Sequence, residues 1–166
     1  MGQEGMSGQG LGVAERPGHG PSAAERPSWA DDEEIDTFDR FAREFLAGSL
    51  DPEAFKRFRL QQGIYGQRQP DLHMVRVKIP WGGLTAAQLE RLADLAEETP
   101  RHVAHVTTRQ NVQYHFVPLA QVPYLMRSLA EVGLTTREAG GNTVRNVTVS
   151  QCAGICPEEP FDPTPY

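Results

Sequence analysis

Three short stretches of the chain alternate apolar and polar residues with a period of two, and this pattern limits the fold more tightly than any other feature. In the first, Val75, Val77 and Ile79 fall on one side and Met74, Arg76 and Lys78 on the other. That is the spacing of a half-buried strand. The second and third run from Val103 to Thr108 and from Val112 to Val117 around Arg109, Gln110 and Asn111. They read as a hairpin. Between the first strand and the hairpin, Leu89, Leu92, Ala93 and Ala96 form a helical stripe, opened by Thr85 and Gln88 at capping-box spacing. After the hairpin, Pro123 opens a helix with Leu125, Leu129 and Val132, and Gly133 closes it. Leu134 to Glu138 reads as a last short strand.

Strand–helix–strand–strand–helix–strand is the order of a split βαβ unit. The expected class is therefore α+β and ferredoxin-like: a four-stranded antiparallel sheet over residues 71–140 with two helices on one face. A helical extension over 31–70 precedes it. Asp31, Asp32, Glu33 and Glu34 lead into Ile35, Phe38, Phe41, Ala42 and Phe45, and acids suit the positive end of a helix dipole. Gly48 ends that helix, and Asp51 with Pro52 opens a second through Phe55 and Phe58. Tyr65 to Arg68 then leads into a turn near Pro70 and Asp71. Residues 1–30, rich in Gly, Pro, Ser and Ala without hydrophobic period, read as a disordered leader.

Strict alternation gathers Arg76, Lys78, His105, Thr107, Arg109, Gln113 and His115 on the sheet face that the helices leave open. An ordinary solvated face mixes acids with bases. Here no acid falls among these residues although the chain carries a net charge of −6, so the face reads as a platform for an anion. An RNA-binding sheet would need aromatic rings on that face to stack bases. Tyr114 and Phe116 fall instead with the core set. Nucleic acid is thus not the expected partner, nor is a membrane, since no apolar run is long enough to span one. The start of the chain has no basic segment followed by an apolar run, and the expected location is cytoplasmic.

Several segments together resemble the siroheme nitrite/sulfite reductase family. They are Tyr65-Gly66-Gln67-Arg68, then Met74 to Pro80 with Gly82-Gly83, then Thr107 to His115, and finally Gly141 to Val147. The resemblance covers about residues 35 to 166. It implies a six-electron reduction of nitrite to ammonia or of sulfite to sulfide at siroheme coupled to a [4Fe–4S] cluster, with ferredoxin or a flavoprotein as electron donor. It also implies that Arg76 and Arg145 hold the anionic substrate. Thr107, Arg109 and Gln113, with His105 and Asn146, would contact the carboxylate-rich siroheme edge. No catalytic step is implied for Lys78 or His115. A non-enzymatic ferredoxin-like module that binds a small anion or regulates is the alternative.

The sequence has two cysteines, Cys152 and Cys156, too few for a four-thiolate cluster. No metal site is expected from them, and a structural or exposed thiol is the reading of both. In the family the cluster ligands lie further along, so the siroheme site here is expected to be partial. Residues 141–166 read as the truncated start of the catalytic domain, packing poorly or staying extended. The chain is expected to be a fragment, inactive without the missing C-terminal part.

Overall fold

The computed structural model describes residues 29–161. The expected leader, apart from Trp29 and Ala30, lies outside the described residues, as do the last five. Two helices come first. In α1 (Asp32–Leu46), the Asp31 side chain caps the backbone N–H groups of Glu33 and Glu34. In α2 (Pro52–Gln61), Asp51 caps Ala54. Asp51 with its first-turn proline is the helix opening expected from the sequence, and the acidic run at the start of α1 supplies a cap as well.

The sheet comprises β1 (Ile64–Gly66), β2 (Leu72–Val77), β3 (Ala104–Val106) and β4 (Val112–Pro118), in the spatial order β1-β2-β4-β3. All neighbours are antiparallel. Helices α3 (Ala86–Glu98) and α4 (Val122–Ala130) pack on one face. The α+β, ferredoxin-like expectation therefore holds, with one exchange of strands. Leu134–Glu138 makes only an isolated bridge, Thr135 to Lys78, and β1 takes the remaining place beside β2. β1 lies inside the stretch read as a helical extension. Three residues bounded by Gly63 and Gly66 are too short to show a period.

The core mixes both parts of the chain. Val75, Val77 and Ile79 of the β2 arm meet Val112, Tyr114 and Val117 of β4 beneath Leu92, Leu95, Leu125 and Leu129. Ile35, Phe38 and Ala42 of α1 and Phe55 of α2 belong to the same cluster. Arg127 of α4 ties α1 down through Asp36 and Asp39 at 2.8 and 3.2 Å.

Two details of side-chain parity differ from expectation. The buried stripe of α3 is Gln88, Leu92, Leu95 and Ala96, while Leu89 and Ala93 face out. A glutamine can hold a stripe position because its amide is paired at both ends: Nε2 donates to the Val132 carbonyl and Oε1 accepts from Thr85 N–H. The second difference lies in β4. His73 pairs with Val117 and Val75 with Tyr114, so β4 carries one extra residue there, a β-bulge. Phe116 sits in it with φ of 62°. The bulge hands the core position to Val117, and Phe116 lies instead beneath the Arg101 guanidinium, 3.9 Å away. Gln67 completes the device, its Oε1 accepting the Phe116 N–H that the ladder drops.

Candidate functional site

The open face is organised by one cross-strand row. Arg76 on β2 stands opposite Gln113 on β4, and Gln113 opposite His105 on β3. Because all three register positions coincide, their side chains leave the sheet on the same side. With its oxygen toward Arg76, the Gln113 amide accepts from Nη2 at 2.7 Å and from Nε at 2.8 Å. Arg76 Nη1 donates to the Ala139 carbonyl at 2.9 Å, and the guanidinium lies 5.1 Å over the Tyr65 ring. This arginine is held from three sides, so little side-chain entropy remains to be lost when an anion binds.

The hairpin turn supplies the next groups. Thr107 accepts through Oγ1 from the backbone N–H of Arg109 at 3.3 Å and of Asn111 at 3.2 Å, and its own N–H donates to the Asn111 carbonyl. The turn is thus braced from within, and Arg109 projects from it. Arg145 arrives from the segment after Gly141. Together Arg76, His105, Thr107, Arg109, Gln113 and Arg145 line a single cavity of about 380 Å³, along with Val106, Thr108 and Asn111. No carboxylate is in that lining. Neither Arg109 nor Arg145 enters an ion pair among the described residues.

Two residues that alternation put on this face stand apart from the cavity. Lys78 is turned to the sheet edge, where its Nζ reaches Glu138 and the Val144 carbonyl, both at 3.3 Å. Its charge is therefore matched by an acid. His115 lies at the bulge, its ring 6.0 Å from that of His105, and its Nε2 is buried without a hydrogen-bond partner. Burial holds its pKa below the ordinary histidine value, with His105, Arg101 and Arg76 pushing the same way. Asn146 also lies off the cavity wall, donating from Nδ2 to the carbonyls of Ile79 and Arg109, both at 2.8 Å.

Sequence reasoning missed Tyr65, whose ring backs Arg76 and whose hydroxyl oxygen accepts from Gly141 N–H at 3.1 Å. It also missed Asn111, whose buried Oδ1 accepts from Ile79 N–H. Both sit in the segments that carry the family resemblance, but nothing in a single sequence separates a supporting residue from a liganding one.

The donor set fits the carboxylate edge of a siroheme: three arginines, one of them held in place, with hydroxyl and amide groups and no opposing acid. It does not fit an iron–sulfur cluster. Cys152 and Cys156 are both exposed thiols, and among the described residues no group of three or more His, Cys, Asp or Glu is placed to hold a metal. No helix among them is long and apolar enough to cross a membrane.

Comparison with known proteins finds relatives of this chain. Residues 65–132 match the nitrite/sulfite reductase ferredoxin-like half domain. The chain is 43% identical over 91 residues to a sulfite reductase [ferredoxin] of Mycobacterium tuberculosis, covering 55% of this chain and 16% of that protein. It is 44% identical over 107 residues to a chloroplastic ferredoxin–nitrite reductase of Arabidopsis thaliana, covering 63% of this chain and 18% of the relative. The solved structure of the Mycobacterium tuberculosis NirA protein superposes with a TM-score of 0.68 at 31% identity, over 84% of this chain and 30% of that one. The chain thus spans less than a fifth of the curated relatives' length. Over residues 65–132 it is similar to the ferredoxin-like half domain of nitrite and sulfite reductases.

Proposed function

We propose that this chain forms one wall of the siroheme and substrate site of a nitrite or sulfite reductase, the opposite wall being supplied by further polypeptide. The observation that carries the reading is the cavity lined by Arg76, His105, Thr107, Arg109, Gln113 and Arg145 with no carboxylate among them. Arg76 and Arg145 are the proposed substrate arginines. Their guanidinium groups neutralise an oxyanion and present paired N–H donors to it. Arg76 is already fixed by Gln113, Ala139 and Tyr65, so its field is preorganised rather than assembled on binding. Arg109, Thr107, His105 and Gln113 are the proposed contacts to the carboxylates of the macrocycle. When bound, siroheme with its linked cluster supplies the iron and the electrons for reduction. The proposed donor is ferredoxin or a flavoprotein, and the proposed setting the cytoplasm.

The test is spectroscopic and needs no turnover. Siroheme titrated into the chain should give a saturable absorption change, weakened about tenfold by Arg109→Ala, the loss of one charge-assisted contact. Siroheme binding that the Arg109→Ala, Arg145→Ala double variant leaves untouched would remove the assignment. A non-enzymatic anion module would bind sulfite but show no siroheme change.

A further inference from the structure

Arg145 is carried by a segment with little apolar anchorage. Between residues 142 and 149 there is no regular secondary structure, and Val144 and Val147 are 74% and 66% exposed. What keeps this arm on the sheet is a set of polar contacts. Asn146 Nδ2 spends both its hydrogens, one on the Ile79 carbonyl at the end of the β2 arm and one on the Arg109 carbonyl in the hairpin turn, each at 2.8 Å. The Val147 carbonyl accepts from Trp81 N–H at 2.8 Å. Beyond it, Gln110 grips Val149 twice, donating to its carbonyl at 2.7 Å and accepting from its N–H at 3.2 Å.

We infer that Asn146 is a positioning residue that holds Arg145 and Arg109 in place at the cavity they both line, rather than a group that touches cofactor or substrate. The inference deepens the proposed function and rests on it. Three observations point the same way. Asn146 is adjacent in sequence to one cavity arginine and bonded to the backbone of another, so one amide fixes the spacing of both. With both its hydrogens used internally, Nδ2 has none left for a carboxylate. Its two bonds act together with those of Trp81 and Gln110, so the arm that carries Arg145 is held by hydrogen bonds at Asn146, Val147 and Val149.

Asn146 also bridges what would otherwise be separate elements. The Ile79 peptide is held on both sides by side-chain amides, Asn111 accepting from its N–H and Asn146 donating to its carbonyl. The arm, the strand end and the turn are therefore tied together. Gln110 is the second fastening, holding the arm four residues beyond Arg145, and it does not line the cavity.

The experiment uses the 166-residue chain with sulfite as the probe, read by the NMR signals of the arginine Nε–H groups, and measures amide exchange at Trp81 and Val149 in parallel. Asn146→Leu, which keeps the size and removes the donors, should weaken sulfite binding about tenfold and speed exchange at both amides. Weaker binding with exchange unchanged would mean a direct ligand contact and overturn the inference. Faster exchange with binding unchanged would reduce Asn146 to a scaffold residue and overturn it equally. If Asn146→Leu does not fold, Gln110→Ala decides: faster exchange at Val149 should come with about threefold weaker sulfite binding, and unaltered affinity would overturn the inference. If the unsubstituted chain binds no sulfite, the proposed function itself fails and this inference with it. That result differs from one in which the wild type binds and the variants bind equally well.

Discussion

A Cβ at Gly140 would lie 2.6 Å from the Leu60 carbonyl oxygen and 2.6 Å from Cε2 of Tyr65. A backbone oxygen cannot step aside as a flexible side chain does, so Gly140→Ala should cost about 1–3 kcal/mol, read by urea unfolding. The same push displaces the ring that backs Arg76, so sulfite affinity should fall with it. Full stability in the variant would show that the loop gives freely. His73 offers a second test at this scale. Burial holds its pKa below the ordinary value, Arg59 pushes it further down, and Asp71 opposes through its backbone and carboxylate. His115 is lowered as well. The unfolded chain then binds protons that the folded chain refuses, so this contribution to stability is present above about pH 6.5 and is lost as pH falls below it. Melting temperatures should drop between about pH 7 and pH 5.5, and His73→Gln should flatten that slope. An unchanged slope would assign the acid sensitivity elsewhere.

Helix ends were legible in the sequence because their chemistry is local: Asp31, Asp51 and Thr85 each cap a backbone amide within three residues of themselves. Strand parity was legible for β2 and for the first half of β4, where Val112 and Tyr114 point into the core as the alternation requires. It failed at Phe116, because a bulge is set by a contact from another strand connection, Gln67, 49 residues away. Gln67→Ala should therefore do more than loosen a loop. It strands the Phe116 N–H, costs about 1–2 kcal/mol, and should speed amide exchange selectively around the bulge. Uniform exchange rates across β4 would show that water replaces the glutamine. The α3 stripe erred for a similar reason. Gln88 looks polar in sequence, and only its pairing with Val132 and Thr85 makes it a core residue.

At the scale of the whole molecule, helices α1 and α2 are not an appendage to the half domain. Ile35, Phe38, Ala42 and Phe55 are each buried to within a few per cent and join the cluster under the sheet. A chain beginning at residue 62 should lose its cooperative unfolding transition, monitored by circular dichroism and Trp81 fluorescence together, because it exposes the α1-facing side of α4. A sharp, coincident transition in the truncated chain would make the helices dispensable. The sequence by itself determined the alternation of β2, the helix caps, the order of elements from β2 to α4 and the types of side chain on the open face, since each depends on residues a few positions apart. Tertiary structure alone decided which short segment completes the sheet, where β4 slips by one residue, that Lys78 turns to Glu138, and that Arg145 reaches the cavity that Arg76 and Arg109 line. Those outcomes join residues tens of positions apart, and no local period records them.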